Sequence, residues 1–299
     1  MRLDIIIACG FLFGGLAFGQ QADSGYVGSS TCQACHEDIF NAIAKSPHHE
    51  IETVKRYGGD GKSCESCHGP GAKHAESADA SLIKNPAKLT AAEADKICLT
   101  CHRNEETHAG RLMSSHAKDA VACTSCHKVH ADGGAHLVAR TAPEINGLCR
   151  GCHLTVAAQF QRPFRHRVPE NAMTCVDCHN PHGSIRPASG QIFAANEPGC
   201  FNCHGEKRGP FTFEHGPVRF EGCQACHEPH GSANPRMLTR AEVRFVCLEC
   251  HANLPNGNKT GTIGVVPPAF HDLRSPVFQN CTVCHQKIHG SYVDRNLLK

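Results

Sequence analysis

The stretch CQACHEPHGS, residues 223–232, holds two histidines three positions apart. His227 closes the pattern Cys223-x-x-Cys226-His227, and His230 stands outside it. The first histidine bears on what the chain binds. The second bears on how its parts are joined.

Two cysteines three apart, followed at once by histidine, read as an attachment site for c-type haem. The sulfurs bond one edge of the porphyrin, and the adjacent imidazole lies over the iron as its proximal ligand. The pattern occurs ten times. Its cysteine pairs are Cys32/Cys35, Cys64/Cys67, Cys98/Cys101, Cys123/Cys126, Cys149/Cys152, Cys175/Cys178, Cys200/Cys203, Cys223/Cys226, Cys247/Cys250 and Cys281/Cys284. The proximal histidines are His36, His68, His102, His127, His153, His179, His204, His227, His251 and His285. These copies use twenty of the 21 cysteines and leave Cys9 over. Zinc sites also use C-x-x-C pairs, but their histidines come in spaced pairs downstream. A thioredoxin-like redox motif needs a βαβ setting, and none is visible. With the motif cysteines committed to thioethers, none remains to form disulfides.

Composition fits the same picture. The chain has 299 residues with no Trp, three Tyr, 28 Gly and 17 Pro. So little apolar side-chain mass would struggle to offset the entropy of ordering the chain. Ten covalent haems, each a large apolar plate, are expected to make the core themselves. The haem-free chain should then fold poorly, as structural metal sites couple binding to folding. The formal net charge is +2 and the basic residues are spread along the chain, so no nucleic-acid partner is indicated. Haem propionates would make the loaded protein acidic around the haem edges.

The start, MRLDIIIACGFLFGGLAFGQ, reads as a secretory signal over residues 1–19. Arg2 is its charged end, Ile5 to Phe18 its apolar stretch, and Ala17-Phe18-Gly19 its cleavage site. A lipoprotein reading would lipidate Cys9, but the apolar stretch before it is too short. The stretch is also short for a transmembrane helix. Export suits thioether-bound haem, which is attached outside the cytoplasmic membrane. The expected compartment is the periplasm, or beyond it.

The 23 histidines complete the pattern. Ten are proximal. Of the rest, the even-numbered motifs each own one upstream and one downstream. These are His48 (or His49) and His74, His116 and His130, His166 and His182, His215 and His230, and His271 and His289. The motifs starting at Cys32, Cys149, Cys200 and Cys247 own none, and that at Cys98 has only His108. Five two-motif units therefore supply ten distal ligands for ten irons. The expected set is His48, His74, His116, His130, His166, His182, His215, His230, His271 and His289. His49, His108 and His136 are left over. The surrounding words repeat as well: NPHGS at 180–184, EPHGS at 228–232 and KIHGS at 287–291 downstream, and RPFRH, GPFTFEH and PPAFH upstream. His227 takes one face of its haem. His230, three residues on and past Pro229, cannot reach round to the other, so it should ligate a neighbouring iron. Beyond the initiator, only Met113, Met173 and Met237 are available, too few for methionine ligation throughout. Bis-histidine ligation keeps potentials low and leaves no iron open to substrate. No catalytic residue is assigned.

Helical signals are short. They cover Asp38 to Lys45, Ala91 to Thr100 behind a Thr90/Glu93 capping box, and Arg240 to Glu249. The fold class expected is a multihaem cytochrome c: mainly short α-helices and irregular loops scaffolded by ten covalent haems, elongated, with few strands. The segment 254–268 reads as a surface loop.

Ten C-x-x-C-H motifs, the signal sequence, the length and the C-x-x-C-H-x-P-H-G-S wording together resemble the decahaem c-type cytochromes of the DmsE/MtrA type. The resemblance covers nearly the whole mature chain. It implies two pentahaem halves, residues 20–160 and 161–299, although a cut near 160 would split the third two-motif unit. It implies a position inside an outer-membrane β-barrel porin. Electrons would pass between a periplasmic or inner-membrane quinol-linked cytochrome donor and an extracellular multihaem cytochrome or reductase. The chain would be an electron carrier and not itself an enzyme. Two other functions fit less well. A multihaem reductase acting on nitrite, hydroxylamine or a sulfur oxyanion usually keeps one open haem through C-x-x-C-K, which does not occur here. An extracellular haem filament would need self-association.

Overall fold

Each motif closes one turn of helix. The histidine N–H donates to the carbonyl of the first cysteine, four residues back, at 2.9–3.0 Å for His36, His127, His153, His179, His204, His227, His251 and His285. His68 and His102 end the longer helices Ser63–His68 and Ala91–His102. Residues three and four apart share a helix face, so this turn sets both sulfurs and the imidazole on one side.

A computed structural model describes residues 25–54, 61–130, 141–183, 199–251, 271, 273 and 275–299. Among them the chain is short α- and 3-10 helices joined by turns, with isolated bridges and no strand. The expected signal segment, Cys9, His136 and the loop 254–268 lie outside the described residues. The first expected helix forms as Glu37–Ala44. The second runs Ala91–His102, its Thr90/Glu93 capping box formed in both directions. The third is shorter than expected, Val243–Leu248, with Glu242 extended before it. Residues just ahead are held elsewhere: Leu238 bridges His227, and Thr239 N–H donates to the Cys226 carbonyl at 3.0 Å.

Two compact units divide the chain, Met1–Asn85 and Pro86–Lys299. The boundary expected near 160 falls within the second. The first unit is closed by carboxylates. Glu65 accepts the backbone N–H groups of Val27, Gly28 and Gly71 at 3.0, 2.9 and 2.8 Å. Glu52 accepts the Ser29 hydroxyl at 2.8 Å and the Ser63 N–H at 3.1 Å.

The second unit is stitched repeat to repeat by the words seen in the sequence. Ser232 of EPHGS exchanges both backbone hydrogen bonds with Phe164 of RPFRH, and Ser291 of KIHGS does so with Phe213 of GPFTFEH. Both serines are buried and turn their hydroxyls back on their own loops, Ser232 to Leu238 O at 2.6 Å and Ser291 accepting Asp294 N–H at 3.1 Å. The glycine before each serine is required. Gly231 and Gly290 have φ of 146° and 144°. A Cβ at Gly231 would stand 2.4 Å from the Gln159 carbonyl oxygen, and one at Gly290 2.2 Å from Phe211.

The interior is polar. Among the described residues the buried apolar side chains are Ala94, Phe160, Val168 and Leu297, while Ser29, Glu65, Asp95, Arg111, Asn146, Ser232 and Ser291 are buried too. Gly231→Ala meets backbone and a disfavoured φ together. It should cost roughly 1–3 kcal/mol, read as a lower denaturation midpoint of the haem-loaded protein; an unchanged midpoint would show that the stitch does not carry stability.

Candidate metal centres

Histidine rings face one another across gaps of one size. The centroid separations are 6.2 Å for His36–His74, 6.0 Å for His116–His153 and 5.9 Å for His127–His182. They are 6.4 Å for His166–His204, 5.9 Å for His179–His230 and 6.3 Å for His215–His251. They are 6.3 Å for His227–His289 and 6.4 Å for His271–His285. A metal–imidazole bond is about 2 Å and a ring centre lies about 1.1 Å beyond its nitrogen, so two rings on opposite sides of one metal sit roughly 6 Å apart. The gaps therefore fit a single metal ion between each pair.

The rings are also aimed. A carbonyl only accepts, so an Nδ1 beside one carries the proton and leaves Nε2 as the free ligand. Among proximal rings, His68 Nδ1 donates to Lys84 O at 2.7 Å, His227 to Arg236 O at 3.0 Å and His285 to Asn296 O at 2.7 Å. Among distal candidates, His74 donates to Asp79 O, His116 to Pro181 O and His166 to Pro229 O. His230 Nδ1 meets the Gln159 side-chain oxygen at 3.1 Å. Such outer partners fix ring orientation and raise ligand basicity.

Within Pro86–Lys299 a rule connects these pairs. The histidine downstream of an even motif faces the proximal histidine of the preceding even motif: His182 with His127, His230 with His179, His289 with His227. The upstream histidine faces that of the following odd motif: His116 with His153, His166 with His204, His215 with His251. His271 has no later motif and faces His285 of its own. His230 thus lies over another motif, not its own. His48 sits in the turn Pro47–His49, and His130 is exposed just after the fourth motif. His108, left over in the sequence count, stands 6.1 Å from His102 and stacks on His182 at 4.1 Å. Its signal was faint: it is the one spare histidine beside an odd-numbered motif.

The sulfurs run on from motif to motif. All twenty motif cysteines are free of disulfides, and the first of each pair is half-buried. The second is more open in most pairs. Cys35, Cys101, Cys126, Cys152, Cys178, Cys203, Cys250 and Cys284 are exposed, while Cys67 and Cys226 are half-buried. The reason is positional. The first sulfur packs against the first sulfur of the other motif in its unit, whereas the second comes at the end of the one-turn helix, where less polypeptide covers it. Polypeptide alone does not cover that sulfur; the edge of an attached macrocycle would.

First cysteines meet in twos. Hydrogen bonding between Cys98 and Cys123 lowers Cys98 to about 7 and raises Cys123. The same pairing of Cys200 with Cys223 lowers Cys200 to about 6. Burial first, and then Cys64, Cys175 and Cys281 respectively, push Cys32 and Cys149 up to about 11 and Cys247 up to about 12. Between these couples, Cys126 lies near Cys149, Cys178 near Cys200 and Cys226 near Cys250. Every motif from Cys98 to Cys284 therefore neighbours the next. Once alkylated by porphyrin these sulfurs no longer titrate; the shifts belong to the free thiols.

Among the described residues, the residue three before an odd motif clamps its partner. It shares a helix face with the first cysteine and reaches the following even motif. Cys123 N–H donates to Asp95 Oδ1 at 2.8 Å, Cys175 N–H to Asn146 Oδ1 at 3.1 Å and Cys64 N–H to Ser29 Oγ at 3.5 Å. Arg244 serves the last unit by donating to Gln279 Oε1 at 2.7 Å. Arg111 neutralises Asp95 and also donates to the Val121 carbonyl. Asn146 is fully buried and donates to the Val168 and Met173 carbonyls.

Porphyrin fits this setting. Among the described residues no three metal-ligating side chains converge on an ion. Two axial imidazoles and a macrocycle would complete six-coordination without them. Val176 lies inside a motif, Leu148 and Phe245 just before motifs, all exposed on the polypeptide, with the apolar chemistry of a porphyrin contact.

The chain is similar to the multiheme cytochrome MtrA of Shewanella baltica, 35% identical over 278 residues, covering 88% of this chain and 78% of that protein. It belongs to the MtrA family of multihaem cytochromes. This MtrA-type chain is also 28% identical over 132 residues to the cytochrome c-type protein NrfB of Escherichia coli, covering 38% of this chain and 67% of NrfB. Against the polyheme cytochrome OmcC of Geobacter sulfurreducens it is 26% identical over 186 residues, 58% of this chain and 23% of OmcC. The doubled-CXXCH family matches residues 166–209 and 215–256, and the NrfB-like cytochrome c family residues 64–141. Each doubled-motif match opens on an upstream histidine and closes past the ring it faces, His166 with His204 and His215 with His251. The MtrA-type chain binds haem c through its C-x-x-C-H motifs and carries electrons along them.

Asn146→Ala strands the buried Cys175 N–H and two carbonyls, and should cost roughly 1–3 kcal/mol. Denaturant titration of the haem-loaded protein checks it, and an unchanged midpoint excludes a clamp. Burial, then the charges of His108 and His127, push His182 down to about 4; burial, then Lys207, pushes His289 to about 4. Protonation is therefore disfavoured in the fold. Its stabilising contribution is complete above the ordinary value of about 6.5 and is lost as pH falls through about 4. These shifts belong to the free imidazoles; a ring that holds iron through Nε2 no longer titrates there.

Proposed function

We propose that this MtrA-type chain is a decahaem conduit, with one haem c at each of its ten motifs. Each haem supplies a one-electron ferric/ferrous centre. The chain's residues hold it: two sulfurs fix an edge, a proximal imidazole takes one axial side, and a distal imidazole takes the other. The distal ligands are His48, His74, His116, His130, His166, His182, His215, His230, His271 and His289, with His108 a further imidazole at the third motif. The observation that carries this reading is the repeated ring separation near 6 Å, shared by neighbouring motifs through cross-facing histidines. A ligand drawn from one motif to serve another brings their macrocycles together, which is what electron hopping needs. Both axial sides are filled, so the chain passes electrons and transforms no substrate.

The conduit works at the outer membrane. The leader exports it to the periplasm, and its size suits a role inside a β-barrel porin. Among the described residues no helix is long and apolar enough to cross a membrane. Irregular backbone of this kind survives at membrane depth only under protein cover, which the porin supplies. A quinol-linked periplasmic or inner-membrane cytochrome is the donor, and an extracellular multihaem cytochrome or reductase the acceptor. Two pentahaem halves, residues 20–160 and 161–299, remain the proposed sequence division.

Mass spectrometry of the secreted chain should give ten haems, and low-temperature EPR of the oxidised protein should give low-spin signals alone. A stoichiometric high-spin ferric signal would instead mark an enzyme. Co-purification with a porin tests the membrane role. Cross-ligation has its own test. His230→Ala should open one haem and His289→Ala another, so the double variant should show two high-spin haems. If His230 served its own motif, both changes would fall on one haem and the double variant would show one.

A further inference from the structure

We infer that Glu65 is a potential-setting residue: its buried carboxylate holds the haems of the first two motifs at lower potential than their ligation alone would give. The inference rests on haem attachment at Cys32 and Cys64, and not on the conduit role. Glu65 lies inside the second motif, between Cys64 and Cys67. It is 2% exposed and points away from solvent. Its oxygens accept three backbone N–H groups, from Val27, Gly28 and Gly71. Val27 and Gly28 lead directly into the helix carrying Cys32, so the carboxylate sits between both attachment segments. Its charge is felt at the Cys32 sulfur.

Among the described residues, none of the ion pairs includes Glu65, and the nearby Lys62 ammonium lies over the Tyr26 ring at 5.2 Å. Glu52 adds a second carboxylate at the same unit, on Ser29 and Ser63. The clamp three before an odd motif brings no free charge to the first three units: Ser29 is neutral here, Asp95 in the second pair is neutralised by Arg111, and Asn146 in the third is neutral. Glu65 lies outside that recurring clamp. Oxidised haem iron carries one more positive charge than reduced iron. A fixed negative charge in a medium of low dielectric therefore favours the ferric state, and nearby charge and hydrogen bonding are recognised levers on haem potential. A residue serving only to staple Val27, Gly28 and Gly71 would act on folding and leave the potential alone.

The test is a potentiometric titration of the haem-loaded protein, followed by absorption and EPR, with haem content checked by mass. Glu65→Gln keeps the shape and removes the charge. At a fixed potential the ferrous/ferric ratio of at least one haem should rise about tenfold, a shift of roughly 59 mV for a one-electron centre. Glu65→Asp keeps the charge and should titrate like the parent. Ile83→Lys adds a cation beside the same pocket, where the Ile83 and Glu65 side chains both border Gly71. It leaves the three N–H bonds intact and should shift the same haem upward, which covers the case in which Glu65→Gln does not accumulate. Superimposable titrations of a fully loaded Glu65→Gln or Ile83→Lys protein would overturn the inference. Missing haem at the first two motifs of the parent would instead overturn the haem assignment beneath it.

Discussion

A histidine ring has two nitrogens, and committing one of them is what organises this molecule. His116 donates Nδ1–H to the carbonyl of Pro181, and His166 to that of Pro229. His215 is tied in the same way to the backbone of Ile288. Each acceptor stands immediately before the next repeat's own downstream histidine, His182, His230 or His289. Aiming one imidazole and docking the following repeat are thus one hydrogen bond. The tautomer it enforces leaves Nε2 facing the gap where a metal fits. Ligand geometry and repeat assembly cannot be separated in such a chain.

The energetics follow from that economy. The polypeptide buries few apolar side chains, and its interior is a set of hydrogen-bonded polar clamps. Those clamps give direction more than stability, because a net intramolecular hydrogen bond contributes only about 0.5–1.5 kcal/mol. The large apolar term has to come from the macrocycles, whose faces match the apolar side chains left outward beside the motifs. The outward second sulfurs, such as Cys35 and Cys152, belong to the same pattern. Chain and haem are therefore expected to order together, with thioether bonds making the association permanent.

Repetition of geometry with variation of charge is the third feature. Ser29, Asp95, Asn146 and Arg244 occupy one position relative to their motifs and perform one positional task. Their electrostatics differ: a hydroxyl, a neutralised carboxylate, an amide and a guanidinium. Glu65 extends the contrast with a carboxylate that forms no ion pair among the described residues. Haems of similar ligation placed at these motifs would sit in different fields, and a row of similar centres can acquire different potentials in that way.

The motifs, the two-motif unit and the cross-facing of His230 were legible in the sequence, because each depends on spacing along the chain. Three atoms of attachment within five residues define a site locally, and a residue three past a proximal histidine is excluded from the far side of the same ring by chain length alone. The capping box at Thr90 was legible for the same reason. Which ring faces which was not. His182 facing His127, His108 stacking on His182, and Asp95 or Glu65 reaching another segment's backbone all join residues far apart in sequence. Nothing in local spacing encodes such partners; they exist only once the folded backbone brings distant nitrogens and carbonyls within hydrogen-bond reach.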